Sequence, residues 1–447
     1  MSRTLVIGEA YTDFHLNALE GNEKHVVRLG GVFHSARAFH AIGQEYCLAV
    51  ISPSYLNESI SEYATQLCAS SHYFVGLVDK CPNVMVIAES TEAGHQGYED
   101  VLKDQAVASI DGETLSMAII EFNPTDILIY PGKYDLASII DILSGYEGKV
   151  HVDFQYGTDQ LKYFVDGGIT LETAILSTSS DMFKIDCGCS SDALVEHLHP
   201  NIAKNILLKE NRGGSKYYQH SSKTWTLAPA FPIETKHSVG VGDCYNAVLI
   251  SLGSVLEISD TLRLAAYISS MYSSTWHHEF FCSYVSNYEQ LIEIVQMMQG
   301  TELHWEERQN FHIYIAGPDF DNVDTLWIDK VEECLRYHNF VPHRPVKENG
   351  LIKGHEPEVQ QQEAYDKDIA LLHKCQILIA VLINDDPGTY VELGWMAKAG
   401  KPTVLFDPEK KATNLFLKKT ATTVCHTLGQ VVDEVYHLLG RKGVADE

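Results

Sequence analysis

Near the C-terminal end of the sequence stands Asn384-Asp385-Asp386-Pro387-Gly388-Thr389-Tyr390-Val391-Glu392-Leu393-Gly394, which puts three carboxylates on either side of a Pro-Gly pair. A glutamate inside a helix start is held ionised by the helix dipole, and with acids beside it such a carboxylate is equipped for nucleophilic attack with proton delivery. The plainer alternative is a helix-capping aspartate followed by a surface glutamate. The stretch follows an apolar run at 377–383, the pattern of a buried strand, and precedes a helical pattern reaching residue 399. It is therefore a strand-to-helix turn, the place where open α/β sheets keep their ligands.

A second stretch with chemical content is His237-Ser238-Val239-Gly240-Val241-Gly242-Asp243, leading into another helical pattern. Gly240, Val241 and Gly242 would leave amide donors free at the helix start, a cradle for developing negative charge. Asp243 would be placed to take a proton from an attacking hydroxyl. Upstream, Asp13 follows an apolar strand at 4–10, and Gly30-Gly31 opens a helix carrying His34. Asp13 reads equally as a turn residue, and a glycine pair before a helix is a common turn device.

The elements needed to hold these residues are legible as an alternation. Strand patterns recur at 47–51, 84–88, 126–130, 150–154, 174–176 and 206–209, with helical patterns between most of them, which implies a largely parallel sheet covered by helices. The pattern breaks at 301–310, expected to be a linker, and a fresh strand at 311–316 starts a second domain. There Tyr314 and the turn Gly317-Pro318 come first, and a helix bearing Asp366 and Asp368 precedes the 377–383 strand. Residues 346–359 lack periodicity and read as a mobile loop.

With 447 residues the chain is comfortable as two domains, each with its own core. The net charge of −27 argues against binding a nucleic-acid backbone, which needs clustered cations, and leaves small ligands as partners. Ten cysteines without paired spacing except Cys187 and Cys189, no signal-peptide pattern and no membrane-length apolar run together lead to the expectation of a reduced, cytoplasmic protein. No metal site is expected. Cys187 and Cys189 lack a second ligand pair, and the adjacent His277 and His278 of Trp276-His277-His278-Glu279 point apart on a helix.

The order Asp13, Gly30-Gly31, Asp153-Phe154-Gln155, Leu208-Lys209-Glu210-Asn211-Arg212-Gly213-Gly214 and Gly240-Val241-Gly242-Asp243 resembles the ribokinase-like (PfkB-type) sugar and nucleoside kinases over residues 1–300. The resemblance implies a doubly wound α/β domain in which Asp13, Gly30 and Gly31 hold substrate hydroxyls, residues 240–242 form the anion hole, and Asp243 is the base. The implied cofactor is magnesium-bound ATP. His34 departs from a substrate-touching Asn, Ser179 and Met182 from a magnesium-organising Asn-x-x-Glu, Asn211 from a nucleotide-loop glycine, and His237 from an Asp. The domain is thus expected either to phosphorylate a sugar or nucleoside or to sense one.

Residues 311–447 resemble the nucleoside 2-deoxyribosyltransferases, through Tyr314-Ile315-Ala316-Gly317-Pro318, Tyr365-Asp366-Lys367-Asp368 and Asp386-Pro387-Gly388-Thr389-Tyr390-Val391-Glu392-Leu393-Gly394. The resemblance implies a flavodoxin-like fold, a Glu392 nucleophile oriented by Tyr314, base-holding and protonating roles for Asp368 and Asp386, no cofactor, and a homo-oligomer that shares residues between subunits, with Asn414 a candidate. Gly317, Gly388 and Thr389 are expected to contact substrate, and His343 and Arg344 would favour a phosphate. The resulting expectation is an enzyme cleaving or transferring at the N-glycosidic bond of a (deoxy)nucleoside or nucleotide. The alternatives are a kinase with a C-terminal nucleotide-binding module, and a toxin-like or defence glycohydrolase that depletes a nucleotide pool.

Overall fold

A computed structural model describes the chain apart from residues 1, 21–22, 95–96, 232, 321, 352–354 and 441–447. The chain divides into two compact units, residues 1–91 with 97–302, and residues 92–96 with 303–447. All ten cysteines are free, and no described helix is long and apolar enough to cross a membrane.

The larger unit is built on a thirteen-stranded sheet. Its central strand, Arg3–Glu20, pairs in parallel with Glu45–Ser52 on one side and Asp126–Ile129 on the other. From there Ser71–Asp79 extends one flank, and Lys149–Asp153, Leu171–Ser177 and Ala203–Lys209 extend the other, all parallel. The order of strands thus reverses beside the central strand, the doubly wound arrangement whose ligand crevice lies at that reversal. The Glu45–Ser52 and Asp126–Ile129 strands are buried almost throughout, as apolar strands covered on both faces must be. Antiparallel strands close both edges, Val107–Ile110 at one and Ser215–Gln219 with Thr224–Ala228 at the other. These, and the Ser71–Asp79 strand, went unread in the sequence because half-buried strands carry polar residues on one face.

Strand Arg3–Glu20 runs well beyond the expected 4–10. Its second half leaves the main sheet to pair antiparallel with Glu23–Gly31 and parallel with Val84–Ile87, in a register that sets Asp13 opposite Arg28. Asp13 is therefore a strand residue and not a turn residue.

The smaller unit carries a five-stranded, all-parallel sheet in the order Val341–His343, His312–Ala316, Ile377–Val381, Thr403–Phe406, Thr423–Cys425. Numbered within the unit this is 2-1-3-4-5, the flavodoxin-like order. The three central strands are almost wholly buried, and the helices Leu326–Tyr337 and Leu428–Gly440 supply core side chains from one side. Residues 301–310 are not featureless. Helix Trp305–Arg308 buries both its end residues, and the Arg308 guanidinium lies over Trp305 and Tyr436. The 346–359 segment is likewise not featureless: Pro345–Asn349 is a helix and the next one begins at Glu358, while 352–354 fall outside the described residues.

Candidate active sites

Strand His312–Ala316 is the first strand of the small sheet, and helix Pro387–Lys398 follows its third, so residues leaving these two strands meet where the strand order reverses. Tyr314 is fully buried, and its hydroxyl donates to Glu392 Oε1 at 2.6 Å. Glu392 stands in the second turn of its helix and is half-buried. Burial lifts its pKa to about 7; the Tyr314 hydrogen bond opposes the rise, and the carboxylates of Asp368 and Asp386 add to it. Burial and Glu392 in turn raise the Tyr314 phenol, which stays a donor. Asp368 is also raised, by burial, while Asn349 donates to its Oδ1 at 2.7 Å. Glu392 and Asp368 are thus both held above the ordinary carboxylate range, a pair of acids placed to hold and pass a proton at one site.

Asp386 takes the plainer part. As N-cap of the Pro387–Lys398 helix it accepts from the Thr389 amide at 2.9 Å and the Thr389 hydroxyl at 2.6 Å, both on Oδ2, which leaves Oδ1 uncommitted. Thr389 is 2% exposed with its hydroxyl turned to Asp386, so its side chain is not presented to a ligand. Gly388 is exposed at the helix start, and a Cβ there would meet nothing closer than 3.4 Å. Gly317 has a packing reason to be glycine, because a Cβ would sit 2.8 Å from Ile328 Cδ1. Asn414 caps helix Leu415–Thr420.

The phosphate-attracting reading of His343 and Arg344 does not survive. Arg344 is 3% exposed, chelated by Asp319 at 2.6 and 2.9 Å, and paired with Asp329 and with Glu332 at 2.8 Å. His343 contacts His312 at 2.9 Å and Glu348 at 3.0 Å. Their donors are already engaged by carboxylates and a ring nitrogen of the same unit.

In the larger unit the sequence-expected residues also converge. Gly31, at a φ of 61°, precedes helix Val32–Ala41, and a Cβ on Gly30 would overlap the Asp13 carboxylate at 2.2 Å. The carboxylate that fills this space is met by His34, whose Nε2 lies 3.0 Å from Asp13 Oδ2 with both side chains 3% exposed, and His34 Nδ1 contacts the Tyr272 hydroxyl at 2.8 Å. Burial drives the His34 pKa down to about 4. Asp13 is thus covered by His34 and not open to a substrate hydroxyl in this structure. Gly240, at a φ of 77°, packs so closely that a Cβ would lie 2.1 Å from His34 Cγ.

Asp243 sits in the first turn of helix Val241–Leu252, with a buried and unpartnered Oδ1. Burial raises its pKa to about 7, with nearby Asp153 adding to the rise and Lys209 opposing it. Lys209 Nζ bridges Asp153 Oδ2 at 2.8 Å and Asn246 Oδ1 at 3.2 Å, and a Cβ on Gly242 would lie 3.0 Å from that ammonium. An ammonium under a glycine turn at a helix start suits an anion. The magnesium positions do not fit. Ser179 Oγ lies 2.6 Å from the Ser177 hydroxyl, Met182 is 1% exposed in the core, and neither offers a carboxylate.

Sequence reasoning did not single out Asn349, Tyr130 or Asn246. Asn349 falls in a segment without period, and the partners of Tyr130 and Asn246, such as Ser35 and Asp153, lie far away in sequence.

The class defined by this geometry is an α/β chain with two sites at sheet reversals, one centred on a Tyr-Glu pair. Residues 313–434 match the family model described as Nucleoside 2-deoxyribosyltransferase, and so contain the Tyr314, Asp368, Asp386 and Glu392 constellation. No curated protein matches the chain. Among solved structures, ribokinase from Giardia lamblia is similar with a TM-score of 0.48 and 12% identity over 67% of this chain and 100% of that one. Phosphofructokinase-2 from Escherichia coli in complex with potassium is similar with a TM-score of 0.49 and 15% identity over 64% and 100%.

Proposed function

We propose that the C-terminal domain breaks the N-glycosidic bond of a deoxynucleoside or deoxynucleotide through Glu392. The observation that carries this reading is the 2.6 Å Tyr314–Glu392 hydrogen bond, within a segment that matches a deoxyribosyltransferase family. The ionised Glu392 attacks C1′, and the electron pair of the C1′–N bond passes to the departing base. Asp368, whose carboxyl pKa is raised by burial, gives that base its proton. The glycosyl ester on Glu392 is then resolved by a second base or by water, whose access decides between transfer and hydrolysis. Tyr314 fixes the carboxylate and holds back its pKa.

Product chromatography after incubation with a panel of deoxynucleosides and deoxynucleotides, with and without acceptor base, tests this. Released or exchanged base that disappears in Glu392→Gln supports it; no base from the wild type on any substrate, or undiminished release by Glu392→Gln, overturns it.

A second reading is favoured by Asp243, whose unpartnered buried oxygen beside a glycine turn is the arrangement of a base awaiting a hydroxyl. In it the larger unit phosphorylates a sugar or nucleoside. The covered Asp13 and the residues at the magnesium positions count against turnover and favour a sensing role. ATP consumption that is lost in Asp243→Asn would establish the kinase; equal consumption by that variant would exclude Asp243 as its base. A nucleotide-depleting defence role shares the Glu392 chemistry and differs in consequence, namely growth arrest on expression that Glu392→Gln relieves.

A further inference from the structure

His40 lies in the last turn of helix Val32–Ala41, and helix His278–Val285 carries His278 and Cys282 four residues apart, on one face. The fold brings the three together within the larger unit. His40 Nδ1 is 2.8 Å from His278 Nε2, and Cys282 Sγ is 3.3 Å from that same Nε2 and 3.7 Å from His40 Nδ1. One ligating atom from each residue lies within 4.8 Å of the other two, and all three side chains are half-buried. Around a tetrahedral ion with bonds of about 2.0–2.3 Å, nitrogen and sulfur ligands stand about 3.3–3.6 Å apart. The trio is therefore spaced as a ligand set, and shifts of a few tenths of an ångström would complete it.

Beside it opens a cavity of about 400 Å³, lined by His40 and Cys282 together with Gly43, Ser286, Asn287 and Glu289. Three protein ligands from two helices with an accessible fourth side describe a site that keeps a position open, in contrast to the closed four-ligand sites that only staple a fold. Two imidazoles and a thiolate favour zinc, cobalt or copper over the oxygen-seeking magnesium and calcium.

We propose that His40, His278 and Cys282 bind a divalent transition ion, zinc by its ligand preference, with the fourth coordination position facing the cavity. On binding, the Cys282 thiol gives its proton to solvent as its sulfur takes up the ion. The ion would tie the end of the Gly30-Gly31 helix to the His278 helix. His34, which covers Asp13, stands on that first helix, so occupancy would stiffen the element that bears on the larger unit's site.

The test uses the full chain, stripped with a chelator and titrated with Zn2+ against a chromogenic competitor, and separately with Co2+. One tightly bound Zn2+ per chain is expected, with a thiolate-to-cobalt charge-transfer band in the Co2+ form. In Cys282→Ser that band should vanish and Zn2+ affinity should fall by more than about tenfold, since even residues that merely orient a metal's ligands contribute about that much. The proposal is overturned if the wild type binds no stoichiometric Zn2+, as a trio that only hydrogen-bonds to itself would not. It is overturned equally if the Co2+ form lacks the band, or if Cys282→Ser binds both ions as the wild type does. The wild-type measurements stand whether or not the variant folds.

Discussion

Glu392 carries a conflict at the scale of the single residue: the burial that makes it a good nucleophile also resists its ionisation. Its folded pKa of about 7 stands above the ordinary 4.5, so between these values folding retains a proton that the unfolded chain has lost. Whatever stability this group contributes is present below about pH 4.5 and is lost as the pH rises through about 7. Glu392→Gln keeps an acceptor for Tyr314 and does not titrate, so its melting temperature should gain on that of the wild type across this window, measured by calorimetry at a series of pH values. On the activity side, kcat/KM for base release should follow a bell in pH, because Glu392 must be ionised while Asp368 still holds its proton. Tyr314→Phe removes a hydrogen bond to a charged group, worth about 1.5–3 kcal/mol, so turnover should drop by about 10- to 100-fold. The midpoint of the rising limb of its pH profile should also move upward, because that bond opposes the rise in the Glu392 pKa. A Tyr314→Phe profile lying on that of the wild type would remove Tyr314 from the site.

At the scale of the element, the Pro387–Lys398 helix depends on Asp386 for its start, and two roles for this residue can be separated by substitution. Asp386→Ala loses the cap and should cost about 1 kcal/mol in denaturant unfolding. Asp386→Asn keeps an accepting oxygen and should cost less than about 0.5 kcal/mol. If Asp386 also moves a proton, both variants lose turnover alike; if it only caps, Asp386→Asn retains it. In the larger unit, Gly240 combines a left-handed backbone with contact on His34. Gly240→Ala should destabilise that unit by about 1–3 kcal/mol or dislodge His34 from Asp13. The cap was readable from the sequence, since Asp-Pro-Gly before an apolar helix is a local signal. The covering of Asp13 was not, because it requires His34, on the helix after the next strand, to meet the carboxylate that packs against Gly30.

At the scale of the whole molecule, the helix bearing Glu392 presents Val391 at 67% and Trp395 at 41% exposure, and the neighbouring helix Leu415–Thr420 presents Leu415 at 69% and Phe416 at 82%. Large apolar side chains gathered beside a site are the surface that subunit association covers. Self-association through this face is the expected outcome in sedimentation velocity, and Phe416→Glu should shift the chain toward the monomer. An unchanged distribution would place any interface elsewhere.

What the sequence by itself determined was local: strand and helix periods, the glycine turns, the Asp386 cap, the break near residue 300 and the inventory of carboxylates. Each of these is written within a few neighbouring residues, where backbone geometry and side-chain spacing act directly. The pairing of Tyr314 with Glu392 was expected only through a family resemblance, and the tertiary structure alone decided that Arg344 is already engaged by acids, that His34 covers Asp13, and that His40 joins His278 and Cys282. Those outcomes depend on burial and on distances through space between residues tens to hundreds of positions apart. Desolvation and pairing follow those distances, and no local pattern encodes them.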